Sequence, residues 1–362
     1  MKDVIAIDLF CGAGGLSRGL IDAGIKVVLG IDWFDSALKT FEKNHNGAKA
    51  MKLDLFNHDN IHKIQDFLLE NNYQLDVLAG GPPCQGFSLA GKREEDDKRN
   101  VLYRAMVKTA ELLKPKIVIL ENVPSILTLY DGLGKKRIFK DFKALGYKMH
   151  VKVLYAPEYG VPQIRRRAVF IGVLNGKDDF VYPKPLISDE KKFVTCEQAI
   201  SDLPSLVNDN DYSLQTVREY ASEPLSDYQR LMRANSKCVY NHYPTHHTAK
   251  TIKNISMVPD GGNYKDLPPD LASKFKYHES LHRYYSKAPS LTIDTGHRTH
   301  FHYKYNRIPT VRECARLQSF PDDFVFYGSK QEQYKEVGNA VPPLLGKVLG
   351  KAIMEYLEHE KV

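Results

Sequence analysis

Short apolar runs alternate with segments of helical spacing through the first half of the chain. The runs are rich in Val, Ile and Leu and are bounded by glycine or polar residues, which is typical of buried strands. They lie at 4–10, 26–31, 75–79, 116–120 and 168–172. Strands that alternate with helices predict a mostly parallel sheet with helices on both faces, so residues 1–173 are interpreted as an α/β domain.

Two further helices are predicted near the end of the chain. Thr310 precedes a segment of helical spacing and Glu313 follows three residues later, which is the pattern of a capping box. Residues 344–358 place Leu, Ile, Val and Met on one side of an amphipathic helix. We expect this last helix to pack on the main domain.

Between these regions lies a segment of different composition. Residues 231–306 hold 11 Lys and Arg against 5 Asp and Glu, so they carry nearly all of the net charge of +7. A basic, aromatic and loop-rich insert is typical of a segment that contacts nucleic acid, although a variable surface insert is the alternative. His242, His246 and His247 lack a cysteine or acidic partner at ligand spacing, so we predict no metal there.

Composition limits the class of protein. A chain of 362 residues, 43% of them hydrophobic, is long enough for a large domain and a smaller one. No window approaches 18 apolar residues, and the chain opens on a strand rather than on a secretory signal. The five cysteines include no CxxC pair, which argues against a disulfide framework or a zinc site. We expect a protein of the reducing cytoplasm.

Cys84 stands in an unusual run of residues, 80–88, just after a predicted strand. Open α/β sheets bind ligands beyond the carboxyl ends of their strands. Pro82 and Pro83 stiffen the chain before the thiol, and the flanking glycines leave room for a ligand. The sequence therefore predicts a reactive cysteine, with a buried structural cysteine as the alternative.

The first strand leads into a glycine turn and then a helix, which is the opening of a nucleotide-binding unit. Its glycines at 12, 14, 15 and 19 do not have the spacing of the dinucleotide fingerprint. Asp32 ends the second strand, where such folds bind a ribose hydroxyl, and Trp33 beside it could stack on a purine. Asp54 follows at the next expected strand end. A plain tight turn and solvated carboxylates are the alternatives.

Two other segments suggest chemistry at the same edge of the sheet. Glu121 ends a strand and is a candidate to hold or give a proton. In the extended segment that follows Gln163, Arg165 and Arg167 share one face and Arg166 points to the other. Two arginines on one face can clamp an anion or a polar base edge, whereas a solvated surface run is the alternative.

Together these strings resemble the motifs of the DNA (cytosine-5)-methyltransferases. PPCQGFS, ENV, QxRxR, RECARLQSFPDDF and GNAVPP occur in the family's order, and the likeness covers the chain except roughly 174–306. The resemblance is to a single-chain prokaryotic modification enzyme. It implies a Rossmann-like methyltransferase sheet with a smaller, loop-rich target-recognition domain. Asp32 stands where many relatives carry Glu.

The resemblance also implies residue roles. Cys84 would add to carbon 6 of a flipped-out cytosine, Glu121 would bind ring nitrogen 3 and the exocyclic amine, and Arg167 would hold the ring carbonyl, with Arg165 beside it. The implied residues for S-adenosylmethionine are Phe10, Ala13, Gly14, Gly15, Asp32, Trp33, Asp54, Leu55, Pro83, Leu102, Asn339 and Ala340. The expected DNA contacts are Gln85, Ser88, Lys92, Arg93, Arg283 and Arg298, with lysines 253, 274 and 276 on phosphates.

The domains and partners follow from the same likeness. Residues 1–173 form the catalytic and cofactor-binding domain, which 331–362 complete, while 174–306 recognise the target and 307–330 support the smaller domain. The partners would be S-adenosylmethionine and double-stranded DNA, with a companion restriction endonuclease and no membrane. The protein is expected to be a monomer associated with the nucleoid of a prokaryotic cell.

Rival functions remain open at this point. A tRNA cytosine-5 methyltransferase would share the catalytic strings, but such enzymes carry a CFT string and PPCQPFT, which this chain lacks. A catalytically silent DNA-binding relative would have lost Cys84 or Glu121. A nicotinamide oxidoreductase needs an absent glycine fingerprint, and an exocyclic-amine methyltransferase would carry an Asp-Pro-Pro-Tyr-like string.

Overall fold

The computed structural model divides the chain into two compact units. It describes residues 3–83, 102–176, 178–207, 209–273, 281–296 and 299–359. The first unit comprises 1–155, 166–184 and 345–362, and the second comprises 156–165 and 185–344. The chain thus leaves the first unit twice, and the short excursion at 156–165 was not expected from the sequence.

A seven-stranded sheet forms the centre of the first unit. Its strands are β1 (Ile5–Leu9), β2 (Lys26–Asp32), β3 (Lys49–Lys52), β4 (Val77–Gly80), β5 (Ile117–Asn122), β6 (Tyr147–Tyr155) and β7 (Arg166–Leu174). They lie in the order β3-β2-β1-β4-β5-β7-β6, and β7 alone runs antiparallel to its neighbours. The predicted mostly parallel α/β sheet is confirmed.

The helices of this unit explain why its strands are continuously apolar. They are α1 (Gly15–Asp22), α2 (Asp35–Asn44), α3 (Ile61–Glu70), α4 (Tyr103–Leu113) and α5 (Leu129–Ala144). A parallel sheet that is covered on both faces needs apolar residues at consecutive positions. Accordingly, every residue of β1 and β4 is buried, and β5 is buried except at Glu121.

The second unit has shorter elements, and its interior includes buried charged side chains, such as Arg312, Arg316 and Asp322, beside its apolar residues. Its helices are α6 (Cys196–Ile200), α7 (Asp227–Arg233), α8 (Ala249–Ser256), α9 (Pro269–Ala272), α10 (Val311–Leu317) and α11 (Lys330–Asn339), and its strands are β8 (His282–Arg283) and β9 (His300–Phe301). The predicted capping box is confirmed, because the side chains of Thr310 and Glu313 each accept the other's backbone N–H. Helix α11 belongs to this unit, although residues 331–344 were expected to complete the catalytic domain.

The last helix, α12 (Pro343–His359), is where the amphipathic spacing predicted it. From Leu345 onward it belongs to the first unit and packs on α1. A Cβ built on Gly346 would lie 3.0 Å from the carbonyl oxygen of Leu16 and 3.2 Å from the Cα of Gly19. Glycine therefore allows close approach of the two helix backbones. Nowhere in the described ranges is a helix both long and apolar enough to span a bilayer.

Candidate active site

The turn after β1 is built from residues with left-handed backbone angles. Phe10, Gly12 and Gly14 have φ values of 60°, 54° and 91°. Such an angle is uncommon for a residue with a side chain and marks Phe10 as strained. The turn is closed by a hydrogen bond of 2.8 Å from the N–H of Gly14 to the carbonyl of Cys11. It presents the first N–H groups of α1, which have no partner inside the helix, beyond the carboxyl end of β1.

Asp32 links the end of β2 to this turn. Its Oδ2 accepts the N–H of Gly12 at 2.8 Å, and its Oδ1 accepts those of Trp33 and Phe34 at 2.7 and 3.1 Å. A carboxylate has about four acceptor positions, so these three bonds leave room for one more donor. The carboxylate predicted to bind a ribose thus also shapes the turn.

Aromatic and carboxylate groups flank Asp32 at the ends of β2 and β3. Trp33 is 57% exposed and has the ammonium of Lys52 on one face, 5.3 Å from the ring centroid. Asp54 accepts the N–H of Phe56 at 2.9 Å, and Leu55 is buried. The open face of Trp33 offers a surface on which a planar ring can stack.

Two residues that the sequence analysis did not identify, His45 and Asp8, support the turn after β1 and the start of α1. His45 places Nε2 3.0 Å from the carbonyl oxygen of Gly14 and occupies the space that a Cβ on Gly14 would need. Asp8, buried in β1, accepts the hydroxyl of Ser17 at 2.6 Å. Burial raises the pKa of Asp8 to about 7, although the hydrogen bond from Ser17 acts in the opposite direction. Asp8 could have been identified from the sequence, because it is a charged residue inside an otherwise apolar predicted strand.

The strand that leads to Cys84 ends in a braced turn. Asn122 donates from Nδ2 to the carbonyl of Pro82 at 3.1 Å, which ties this turn to β5. Pro83 is exposed, and Leu102 is buried at the start of α4. Five predicted site residues between them, Cys84, Gln85, Ser88, Lys92 and Arg93, lie outside the described residues. Asn122 belongs to the ENV string, but the sequence assigned a role only to its glutamate.

Glu121 and Arg167 form an ion pair at the carboxyl end of β5. Arg167 Nε lies 2.7 Å from Glu121 Oε1, and the two side chains are 15% and 13% exposed. Glu121 pairs with Val169 across β5 and β7, so Arg167 is its diagonal neighbour on the same face. Of the five Arg167 donors, Nε is bound to Glu121 and one Nη1 hydrogen to the carbonyl of Arg166. Among the described residues the pair therefore keeps polar groups that a ligand can use.

Arg165 has a different environment in the second unit. Its Nη2 donates to the carbonyls of Gly338 and Ala340 at 3.0 and 3.1 Å, and its Nη1 donates to the carbonyl of Ile293 at 3.4 Å. The side chain is buried. Arg165 thus positions the segment around Ala340, and its predicted place beside the ring carbonyl stays a prediction. Asn339 in that segment is exposed.

Comparison with known proteins decides the family. A model of the C-5 cytosine-specific DNA methylase family matches residues 4–355. The chain belongs to this family. It is 36% identical to the Type II methyltransferase M1.HphI of Haemophilus parahaemolyticus, over 98% of this chain and 87% of that one. It is 33% identical to M.DdeI of Desulfomicrobium norvegicum, over 98% and 89%.

A solved structure agrees with this assignment. It is assigned to a DNA modification methyltransferase encoded within a prophage of E. coli, and its sequence is 26% identical to this chain. The match covers 98% of this chain and 100% of the E. coli chain, with a TM-score of 0.81. The protein is accordingly a DNA (cytosine-5)-methyltransferase of the restriction-modification type, and its cofactor is S-adenosylmethionine.

The residues around the first turn suit that cofactor. S-adenosylmethionine carries a purine, a ribose and an amino-acid end. The exposed ring of Trp33 suits the purine, and the remaining acceptor position of Asp32 suits a ribose hydroxyl. The N–H groups at the start of α1, after Ala13 and Gly14, suit a carboxylate. A Cβ built on Gly12 would meet nothing within 4 Å, so the turn is open on its outer side.

Only some of the residues predicted to contact DNA lie among the described residues of this methyltransferase. All five donors of Arg283 are used within the second unit: Nε donates to Val258, Nη1 to His302 and Tyr305, and Nη2 to Ile255 and Asn306. Arg283 is therefore a structural residue, and the prediction that it reads a base edge is not supported. Lys253 is exposed, whereas Lys274, Lys276 and Arg298 lie outside the described residues.

The histidines of the basic insert also include structural residues. His242 is buried, with Nδ1 2.8 Å from the hydroxyl of Thr310 and Nε2 2.8 Å from the carbonyl of Pro204. Burial lowers the pKa of His242 to about 4, so the ring is neutral at pH 7. It joins the start of α10 to a distant loop.

Proposed function

We propose that Cys84 is the nucleophile of the methyl transfer and that Glu121 and Arg167 bind the target cytosine. The observation that carries this assignment is the ion pair of Glu121 and Arg167 at the carboxyl end of β5. A cytosine ring presents an acceptor nitrogen, an exocyclic amine and a carbonyl oxygen along one edge. The second oxygen of Glu121 faces Gly81, where a Cβ would come within 3.2 Å of it, and among the described residues Arg167 keeps Nη donors that have no partner.

The chemistry needs a nucleophile because carbon 5 of cytosine is unreactive. The Cys84 thiolate adds to carbon 6, and the electron pair of the 5,6 double bond becomes available at carbon 5. Glu121 and Arg167 stabilise the charge that accumulates on the ring. S-adenosylmethionine, when bound, supplies an electrophilic methyl group. Loss of the carbon 5 proton to solvent then expels Cys84 as thiolate and restores the double bond.

The base must leave the duplex before Cys84 can reach its face. Flipping costs a few kcal/mol, which contacts to the flipped base and to the surrounding strand must offset. Residues 89–100 include Lys92 and Arg93, whose charges suit contact with DNA, and they lie outside the described residues. Target recognition is assigned to 174–306, on account of the basic and aromatic composition of residues 231–306 within it and the exposure of Lys253.

The biological role we infer is protection of DNA from a companion restriction endonuclease. This proposal is supported by the relatives M1.HphI and M.DdeI, which are named Type II methyltransferases. The methylated sequence would then be the sequence that the endonuclease cuts. We further expect the enzyme to act as a monomer.

Bisulfite sequencing tests the assignment of Cys84. DNA from cells that express the protein should show methylated cytosines in one short sequence context. Cys84→Ser should abolish this signal, because an alcohol is a far weaker nucleophile than a thiolate. Cys238→Ser is the matched control and should methylate as the parent does.

Two results would count against the proposal. Methylation by Cys84→Ser above a few per cent of the parent rate would remove the cysteine from the mechanism. Bisulfite conversion of cellular tRNA from the same cells provides the second arm, and a modified tRNA cytosine alongside unmodified DNA would favour the RNA substrate.

A further inference from the structure

Arg166 differs from the two arginines that flank it. Arg165 donates to carbonyls of the second unit, and Arg167 binds Glu121. Arg166 is exposed, and across the described parts of the chain its guanidinium has no carboxylate or carbonyl partner. Of the three consecutive arginines, it is the one whose five side-chain donors all lack a hydrogen-bond partner among the described residues.

Its guanidinium is nevertheless held in one place. The centre of the group lies 4.2 Å from the ring centroid of Tyr155, in a cation–π contact. Tyr155 is the direct partner of Arg166 across the antiparallel strands β6 and β7, so the register fixes the contact. Stacking occupies the face of the planar group and leaves its in-plane N–H fork open.

The position is close to the catalytic groups of the first unit. Asn122, the last residue of β5, pairs with Ala168, so Arg166 lies two residues beyond the end of β5. Successive side chains of a strand point to opposite faces, so Arg166 points away from the face that carries Arg167. A base held by Glu121 and Arg167 would still be joined to the phosphates on either side of it.

We propose that Arg166, stacked on Tyr155, binds a phosphate of the DNA strand next to the flipped cytosine. A planar fork of N–H donors matches the oxygens of a phosphate and can bind two of them at once. The proposal rests on the assignment of Glu121 and Arg167 to the target base. It makes the middle residue of the arginine run a positioning residue for the strand.

Salt dependence of DNA binding is the direct test. For a 24-base-pair duplex of mixed sequence, the logarithm of the binding constant falls with the logarithm of salt concentration by about 0.9 per phosphate contact. Arg166→Gln should make this slope shallower by about 0.9, the value for one phosphate contact, and should weaken DNA binding severalfold. Cofactor affinity and kcat at saturating DNA should stay at the parent values, while KM for DNA rises.

Two further variants separate charge from geometry. Arg166→Lys keeps the charge but not the fork, so it should retain the salt dependence and recover only part of the lost affinity. Tyr155→Leu removes the stacking surface, so KM for DNA should rise with the salt dependence unchanged. Tyr155→Phe keeps the ring and should preserve both values.

Lys152→Gln is the matched control for net charge. Lys152 is exposed on β6, three positions from Tyr155 and therefore on the opposite face of the strand. It should leave the salt dependence unchanged. An unchanged slope in Arg166→Gln, or equal reductions in Arg166→Gln and Lys152→Gln, would overturn the proposal and leave Arg166 a solvated charge. Glu121→Gln tests the base-binding assignment separately, because it should reduce kcat without changing the slope.

Discussion

Two arginine–carboxylate pairs, one in each unit, show how the same chemistry serves different purposes. In the first unit, Glu121 and Arg167 are 13% and 15% exposed and meet through one contact of 2.7 Å. In the second, Arg316 and Asp322 are fully buried and meet through two contacts of 2.6 Å. Arg316 also binds Asp202 and the carbonyl of Ala199, so its donors are satisfied inside the unit.

The difference lies in the donors that remain. A buried pair must satisfy all of its polar groups internally, because an unpaired buried charge is costly. The pair of Arg316 with Asp322 meets this requirement and stabilises the fold. Arg167 keeps donors that no described residue uses, at a strand end where ligands bind. Spare hydrogen-bonding capacity, rather than charge, separates the candidate catalytic pair from the structural pair.

The largest expected effect is on turnover and concerns Glu121. Glu121→Gln removes the negative charge of the carboxylate, which is proposed to bind the cytosine ring, while keeping the shape of the side chain. Methyl transfer should fall by about 10²–10⁴-fold, with cofactor affinity nearly intact. Radiolabelled methyl incorporation and cofactor titration measure the two quantities. Glu111→Gln, at an exposed position of α4, is the control, and equal turnover in both variants would contradict the assignment.

The buried pair should instead affect stability. Arg316→Met leaves Asp202 and Asp322 in the interior without their main partner, and should lower the free energy of unfolding by about 3–5 kcal/mol. Urea denaturation measures it. Arg230→Met removes an exposed ion pair with Asp227 and should cost at most about 1 kcal/mol. Similar losses of unfolding free energy in the two variants would show that burial does not determine how much each ion pair contributes to stability.

Asp8 differs from both pairs, because it is a buried carboxylate that no arginine of the described residues contacts. Its folded pKa of about 7 lies above the usual value of 3.8. The folded protein therefore holds this proton where the unfolded chain releases it, so the stabilising contribution is complete below about pH 4 and is lost as the pH rises through 7. The difference between the folded and the usual pKa of Asp8 corresponds to a contribution of at most about 4 kcal/mol to the free energy of unfolding.

Asp8→Asn should remove this pH dependence and make the protein more stable than the parent above pH 7. Thermal unfolding between pH 5 and pH 8 tests it, with the exposed Asp35→Asn as the control. Parallel curves for the Asp8 variant and the parent would show that Asp8 is ionised throughout this range.

The smallest expected effect concerns cofactor binding at Trp33. Trp33→Ala removes a stacking surface and should weaken the binding of S-adenosylmethionine by about 1–3 kcal/mol. Calorimetric titration gives the value. Phe34→Ala is a matched control, because Phe34 is the next residue and is similarly exposed. Equal losses in both variants, or none in either, would remove Trp33 from the cofactor site.

The sequence by itself determined the elements and the edge of the sheet on which the candidate site lies. Apolar runs of strand length, separated by helical spacing, predicted the parallel sheet, because a sheet covered on both faces needs apolar residues throughout. Asp32 and Glu121 follow such runs directly, so their place at strand ends was a local property. The capping box of Thr310 with Glu313 was equally local, since its hydrogen bonds span three residues.

Tertiary structure decided which arginines find hydrogen-bond partners among the described residues. Arg165 was predicted to lie beside the ring carbonyl and Arg283 to read a base edge, yet Nη donors of Arg165 and all donors of Arg283 bind groups that lie far away in the chain, such as the carbonyls of Gly338 and Val258. The stack of Arg166 on Tyr155 likewise depends on the register of two antiparallel strands. A backbone carbonyl is present at every residue and leaves no mark in the sequence, so only the fold determines which arginine it binds.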